Sequence, residues 1–208
     1  MSRLTNRIII FAVIIAITVG LVLALVYFTN APRRKDVGQA YLAVLIERNA
    51  VRPLALPARE KTSDCEVRGP LPDSQCTPGT VFTNIDEKQI CTQGYTKTAR
   101  NVSVDLKSQV YAAYGLSYPQ SPGAYEADHL IPLELGGNND IANLFPEAAE
   151  PTPGFHEKDL VENYLNHEVC AGHVSLIAAQ EQIANNWLIV YEHLSQSQID
   201  QLKQEFTH

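Results

Sequence analysis

Apolar residues run unbroken by charge from Ile8 to Phe28, a stretch of 21 residues. At about 1.5 Å per residue, a helix of that length crosses a hydrocarbon layer of roughly 30 Å. The pattern therefore predicts a transmembrane anchor at 8–28 behind a short tail at 1–7. A cleaved signal carries a shorter apolar region, about 7–15 residues. The weak cleavage sequence Thr29-Asn30-Ala31 is the alternative, which would release a secreted product. Arg3 and Arg7 before the span are matched by Arg33, Arg34 and Lys35 after it, so flanking charge does not set orientation. Val37, Tyr41, Val44 and Leu45 recur at helical spacing within Asp36–Arg48, which marks 29–60 as a juxtamembrane helix or linker.

The rest, 61–208, is long enough for one domain with its own core. Thr62 to Gly79 is dense in Pro, Gly and Asp and reads as loop. Cys76 to Arg100 alternates irregularly and should hold at most short strands. Ser103 is placed to cap a helix carrying Leu106, Val110, Ala113 and Tyr114, ended by Gly115. Phe155 to Cys170 has a second helical pattern, with Val161, Tyr164, Leu165 and Val169 on an apolar sector. His156, Asp159, Asn163 and His167 share a separate, narrow polar sector. Gly172 is a stop and Ser175 a new cap, after which Leu176, Gln180, Ile183, Ala184 and Trp187 share a face, with Trp187 as a core anchor. Ile199, Leu202 and Phe206 indicate a last short helix. The expected fold is α+β and mostly helical.

One segment, YEADHLIPLELGGNNDIANLF at Tyr125–Phe145, carries the candidate chemistry. Asp128 and His129 open a strand-like run, Gly136 to Asp140 form a turn, and Asn143 follows His129 by 14 residues. A carboxylate beside an imidazole can hold a divalent ion with one residue and activate water with the other. Histidine suits the second task because its ordinary pKa is about 6.5 and an acceptor on one ring nitrogen fixes the tautomer.

This arrangement resembles the HNH, or ββα-metal, family of nucleases. CTPG, GYTKTAR, DHLIPLELGG, NLFPE, KDLVENYL, VCAG and AQEQIANNW together look like a bacterial exported branch of it, over roughly Cys76 to Trp187. The resemblance implies a ββα site with its core at 125–170, formed by a hairpin and the Phe155–Cys170 helix. It implies phosphodiester hydrolysis, with His129 as base, the Asn143 carbonyl orienting the ring, and Asp128 binding metal. The helix should supply the remaining ligand. EAAEPTPG (147–154) lengthens the connection, so spacing does not identify that residue; Asn163 ranks first, His167 second and His156 third. Oxygen ligands suit Mg²⁺ or Mn²⁺, and a histidine ligand would bring in Zn²⁺ or Ni²⁺.

The four cysteines, Cys65, Cys76, Cys91 and Cys170, all follow the apolar span, and their even number suits disulfides on the extracytoplasmic side. Spacing leaves three pairings open; the adopted one is Cys65–Cys76 with Cys91–Cys170. Five of the 16 basic residues lie within 1–35, so 11 remain against 23 carboxylates from Asp36 onward, a net of −12. Nucleic-acid affinity rests on cations at phosphates, so an acidic domain fits a weakly binding, sequence-nonspecific enzyme; the expected nucleic-acid substrate is DNA ahead of RNA. The enzyme's cations would come from a local patch of Lys97, Arg100, Lys107 and Lys158. Two other classes are a catalytically inactive HNH-fold binding or envelope module and a structural zinc domain. The second predicts closely spaced Cys/His pairs such as C-x₂-C, which the chain lacks.

Overall fold

Apolar spacing and caps place the elements of the computed structural model, which describes residues 54–206. The tail at 1–7, the span at 8–28 and the helix at 36–48 lie outside the described residues. Among those described, no helix is long and apolar enough to cross a membrane. Six helices and one antiparallel strand pair make up the described α+β fold. Residues 54–60, the end of the expected linker, carry no regular structure.

The Cys76–Arg100 stretch departs from expectation. It holds two short helices, α1 (Glu87–Ile90) and α2 (Tyr95–Ala99), and one isolated bridge, Val81 to Gly137, in place of strands. Local capping is the reason: the Asp86 carboxylate accepts from Gln89 N–H while the Gln89 side chain accepts from Asp86 N–H, satisfying two free donors at once. Helix α3 (Val104–Ala113) starts at the Ser103 cap, whose hydroxyl accepts from Leu106 N–H.

Strands β1 (Tyr125–His129) and β2 (Leu144–Ala148) pair antiparallel, with Asp128 opposite Phe145 and His129 opposite Leu144. His129 therefore closes β1 instead of opening a strand. After it the chain turns through Pro132 into a 3-10 turn at Leu133–Leu135, and a second such turn at Ile141–Asn143 leads into β2. Two glycines make this connection feasible. Gly136 has φ of +78°, a left-handed backbone that a side chain disfavours. At Gly137 a Cβ would lie 1.7 Å from the Ile131 carbonyl oxygen, so only glycine fits.

Helix α4 (Phe155–Cys170), α5 (Leu176–His193) and α6 (Gln196–Phe206) follow. Glu157 accepts from Gly154 N–H at the start of α4, and the Ser175 hydroxyl accepts from Ala178 N–H at the start of α5. Helix α5 is interrupted at Asn186, whose side-chain carbonyl caps Leu188 N–H. The main core joins Leu160, Val161, Leu165 and Val169 of α4 to Leu176, Ala179, Ile183 and Trp187 of α5, with Ile131, Leu135 and Leu202. A second cluster packs Val110 and Tyr111 of α3 against Leu144, with Tyr125 and Ala127 beside it. The strand pair is thus held between α3 and α4.

Disulfides Cys65–Cys76 and Cys91–Cys170 complete the frame in the adopted pairing. The second ties the end of α4 to the residue after α1. The first, with Ala113 and Tyr114, fixes the loop at the end of α3.

Candidate functional site

Consecutive strand residues send their side chains to opposite faces, and this separates Asp128 from His129. Asp128 turns toward α4, where Lys158 Nζ donates to its Oδ2 at 2.6 Å. His129 turns toward the loop and α2, where its Nε2 lies 3.2 Å from Asn139 Oδ1. The acceptor beside the imidazole is therefore Asn139 and not the expected Asn143.

Asn143 does different work. It is fully buried, and its Oδ1 accepts from Ile131 N–H at 3.0 Å and Thr80 N–H at 3.4 Å. Its Nδ2 donates to the carbonyls of Ile131 and Asn138, both at 2.9 Å. One amide thus clamps both sides of the β1–β2 connection. Neighbouring side chains extend the clamp outward. Asn138 accepts from the Thr80 hydroxyl at 2.6 Å and donates to the Val81 carbonyl. Asn139 donates to the Ala99 carbonyl at 2.8 Å and accepts from Asn101 N–H at 3.1 Å. Those two partners settle the Asn139 amide: Nδ2 must face the carbonyl and Oδ1 the N–H. An oxygen facing His129 Nε2 can only accept, so Nε2 carries the ring proton and Nδ1 the lone pair.

His129 is 2% exposed. Burial pushes its pKa down to about 4, against smaller upward pulls from Asp128 and the Asn139 hydrogen bond, and exposed Arg100 adds to the depression. The ring is neutral at physiological pH. Asn139 also lines an open groove of about 550 Å³ bounded by Phe82–Ile85, Tyr95, Thr98 and Asn101.

The helix presents a different face from the expected stripe. Lys158 and Glu162, one turn apart, point inward, while His156, Asp159 and His167 are exposed and Asn163 is half-buried. The Asn163 amide donates to the Asp159 carbonyl of its own helix. The buried face is set by Phe155, Val161, Leu165 and Val169, and Lys158 and Glu162 fall within the same arc. Lysine is almost never fully buried unless paired, and Lys158 is paired three times. Its ammonium donates to Asp128 Oδ2, to the His129 carbonyl at 2.7 Å and to Glu162 Oε1.

Burial would neutralise Lys158, but Asp128, Glu162 and Glu147 outweigh it and hold its pKa well above the usual value. Burial likewise opposes Asp128 ionisation, and Lys158 reverses this and keeps the carboxyl below its usual range. Glu147, 1% exposed and diagonal to Asp128 across the strand pair, is pushed up to about 11 by burial despite the Lys158 charge, with Asp128 adding to the rise. It is protonated at neutral pH. Neither of its oxygens has a hydrogen-bond partner.

A divalent ion on Asp128 would sit about 2.0–2.6 Å from a carboxylate oxygen. The Lys158 ammonium already holds that side of Oδ2, so these residues as arranged do not fit a metal there. Among the described residues, no three His, Cys, Asp or Glu side chains converge to hold a metal ion. Asn139, Glu162 and Glu147 are the residues that sequence reading passed over, and Lys158, expected in a phosphate-facing patch, is instead enclosed. The one signal for the helix pair was Lys158 and Glu162 at i, i+4, flanked by apolar Leu160, Val161 and Leu165.

No family model, curated protein or solved structure matches the chain.

Proposed function

We propose that the protein hydrolyses phosphodiester bonds in nucleic acid through an HNH-like site, with His129 as the general base. The observation that carries this reading is the fixed tautomer of a neutral His129, its Nε2–H given to Asn139 and its Nδ1 lone pair left for a proton from water. In that role Nδ1 takes the proton as the water oxygen attacks phosphorus. Arg100, exposed and close enough to depress His129, faces the phosphate and offsets its charge. Substrate lies along the groove beside Asn139. A base with so low a pKa takes protons weakly, so turnover is slow. DNA is the favoured substrate, bound weakly because the domain is acidic.

We further propose that the domain works on the extracytoplasmic side of a membrane, held by 8–28. The two disulfides support an oxidising compartment.

A second reading, a non-catalytic binding module, is favoured by the slight exposure of His129 and the engagement of Asp128 by Lys158. Incubation of the full-length protein with plasmid and RNA, in Mg²⁺, Mn²⁺, Zn²⁺ or EDTA, separates the two. Cleavage in any arm supports hydrolysis. Binding without cleavage in every arm supports the module.

A further inference from the structure

Lys158 is wholly buried, yet each of its three N–H donors has an oxygen acceptor, and the three acceptors come from two elements. Asp128 Oδ2 and the His129 carbonyl come from the end of β1, and Glu162 Oε1 comes from the next turn of α4. Three oxygens converging on one point within about 2.7 Å, two of them from carboxyl groups, is the donor set a hard cation takes. Behind it stands the buried Glu147 carboxyl, whose oxygens receive no donor. Lys158 itself cannot serve phosphate chemistry, because it is enclosed and its charge is offset by the carboxyl groups it binds.

We propose that Lys158 is a built-in cation: its ammonium fills a three-oxygen cation site between β1 and α4, so that Asp128 takes no divalent ion, and deleting the ammonium opens the site to one. The hairpin-and-helix reading of the site suggests the comparison with a metal, but the test reads metal binding and not cleavage. The two can therefore fail separately: cleavage that requires Mg²⁺ would leave the hydrolase standing and count against the built-in cation.

The full-length protein in detergent is titrated with Mn²⁺ and Ca²⁺, followed by calorimetry, Mn²⁺ electron spin resonance and melting temperature. Wild type should show no stoichiometric site. Lys158→Ala should bind one ion and gain roughly 5–10 °C in Tm at metal concentrations about 100-fold above Kd. Adding Asp128→Asn should abolish both effects, which separates this site from loose binding on the acidic surface. Lys158→Met, which refills the space with an apolar chain, should bind none. If Lys158→Ala is unfolded without metal, recovery of its fold with Mn²⁺ supports the proposal, and failure to recover it counts against. A wild-type ion lost in Asp128→Asn, or a folded Lys158→Ala that binds nothing, overturns it.

Discussion

Replacing Asn143 distinguishes a structural clamp from an imidazole-orienting residue. Asn143→Ala removes bonds to Ile131 N–H, the Ile131 carbonyl and the Asn138 carbonyl, all at 2.9–3.0 Å and all at a residue with no exposed surface. A buried backbone group left without a partner costs about 1–3 kcal/mol. Three such groups, with the Thr80 contact weaker at 3.4 Å, give a loss of about 3–9 kcal/mol. Small domains hold only about 5–15 kcal/mol in total, so much of the stability rests on this amide. Asn143→Asp should also be costly, since it keeps the acceptor for Ile131 N–H but sets oxygen against the two carbonyls. Asn139→Ala removes partners nearer the surface and should cost about 1–2 kcal/mol, yet it frees the His129 ring and lowers its pKa further. Urea unfolding gives the stabilities, and histidine NMR titration gives the ring pKa. An Asn143→Ala protein within about 1 kcal/mol of wild type would refute the clamp, and an unmoved His129 pKa in Asn139→Ala would refute the tautomer lock.

Loop closure ranks the two disulfides: the Cys91–Cys170 bridge spans 79 residues and the Cys65–Cys76 bridge 11, so their serine variants should lose about 4–5 and about 3 kcal/mol in urea titrations. Equal losses, or none, would show that chain entropy does not set their effect. The His129 pKa of about 4, against about 6.5 unfolded, means the unfolded chain binds the extra proton between those values. Stability from this group is therefore present above pH 6.5 and lost as pH falls toward 4, by about 3 kcal/mol in all; His129→Gln should flatten that part of the pH–stability curve. Glu147 has the opposite sign, because its folded pKa of about 11 exceeds the unfolded one. Its contribution is whole below about pH 4.5 and declines as pH rises toward 11. Glu147→Gln, which cannot ionise, should lose less stability than wild type between pH 7 and 9, and an identical decline in both would show that Glu147 does not hold its proton.

Where local rules decide structure, the sequence could be read closely. The Ser103 and Ser175 caps, the Phe155–Cys170 helix and the buried Trp187 all follow from capping chemistry and 3.6-residue spacing. Short helices α1 and α2 were missed because a four- or five-residue helix has no period to detect, and its capping box looks like ordinary loop chemistry. The site-facing polar positions of α4 were assigned one residue too far along, Asp159 and Asn163 in place of Lys158 and Glu162, about 100° of rotation, while the apolar face of Val161, Leu165 and Val169 packs as expected. Lys158 and Glu162 look solvated on local evidence, and the partner that makes their burial tolerable, Asp128, lies 30 residues from Lys158. Asn139 was legible as a turn residue, but its contact with His129 depends on residues 99–101 folding against the loop. Asp128 and His129, adjacent in sequence, look like one site, and strand alternation sends them to two.

The central claim, that His129 is the base of a phosphodiester hydrolase, is tested most directly by cleavage of plasmid and RNA by full-length wild type and His129→Ala. Folding of each is checked by circular dichroism and Tm in the assay buffer. The account predicts slow cleavage by wild type and a loss of about 10²–10⁴-fold in a folded His129→Ala protein. A folded variant that cleaves as fast as wild type would contradict it, and so would a wild-type protein that cleaves neither substrate.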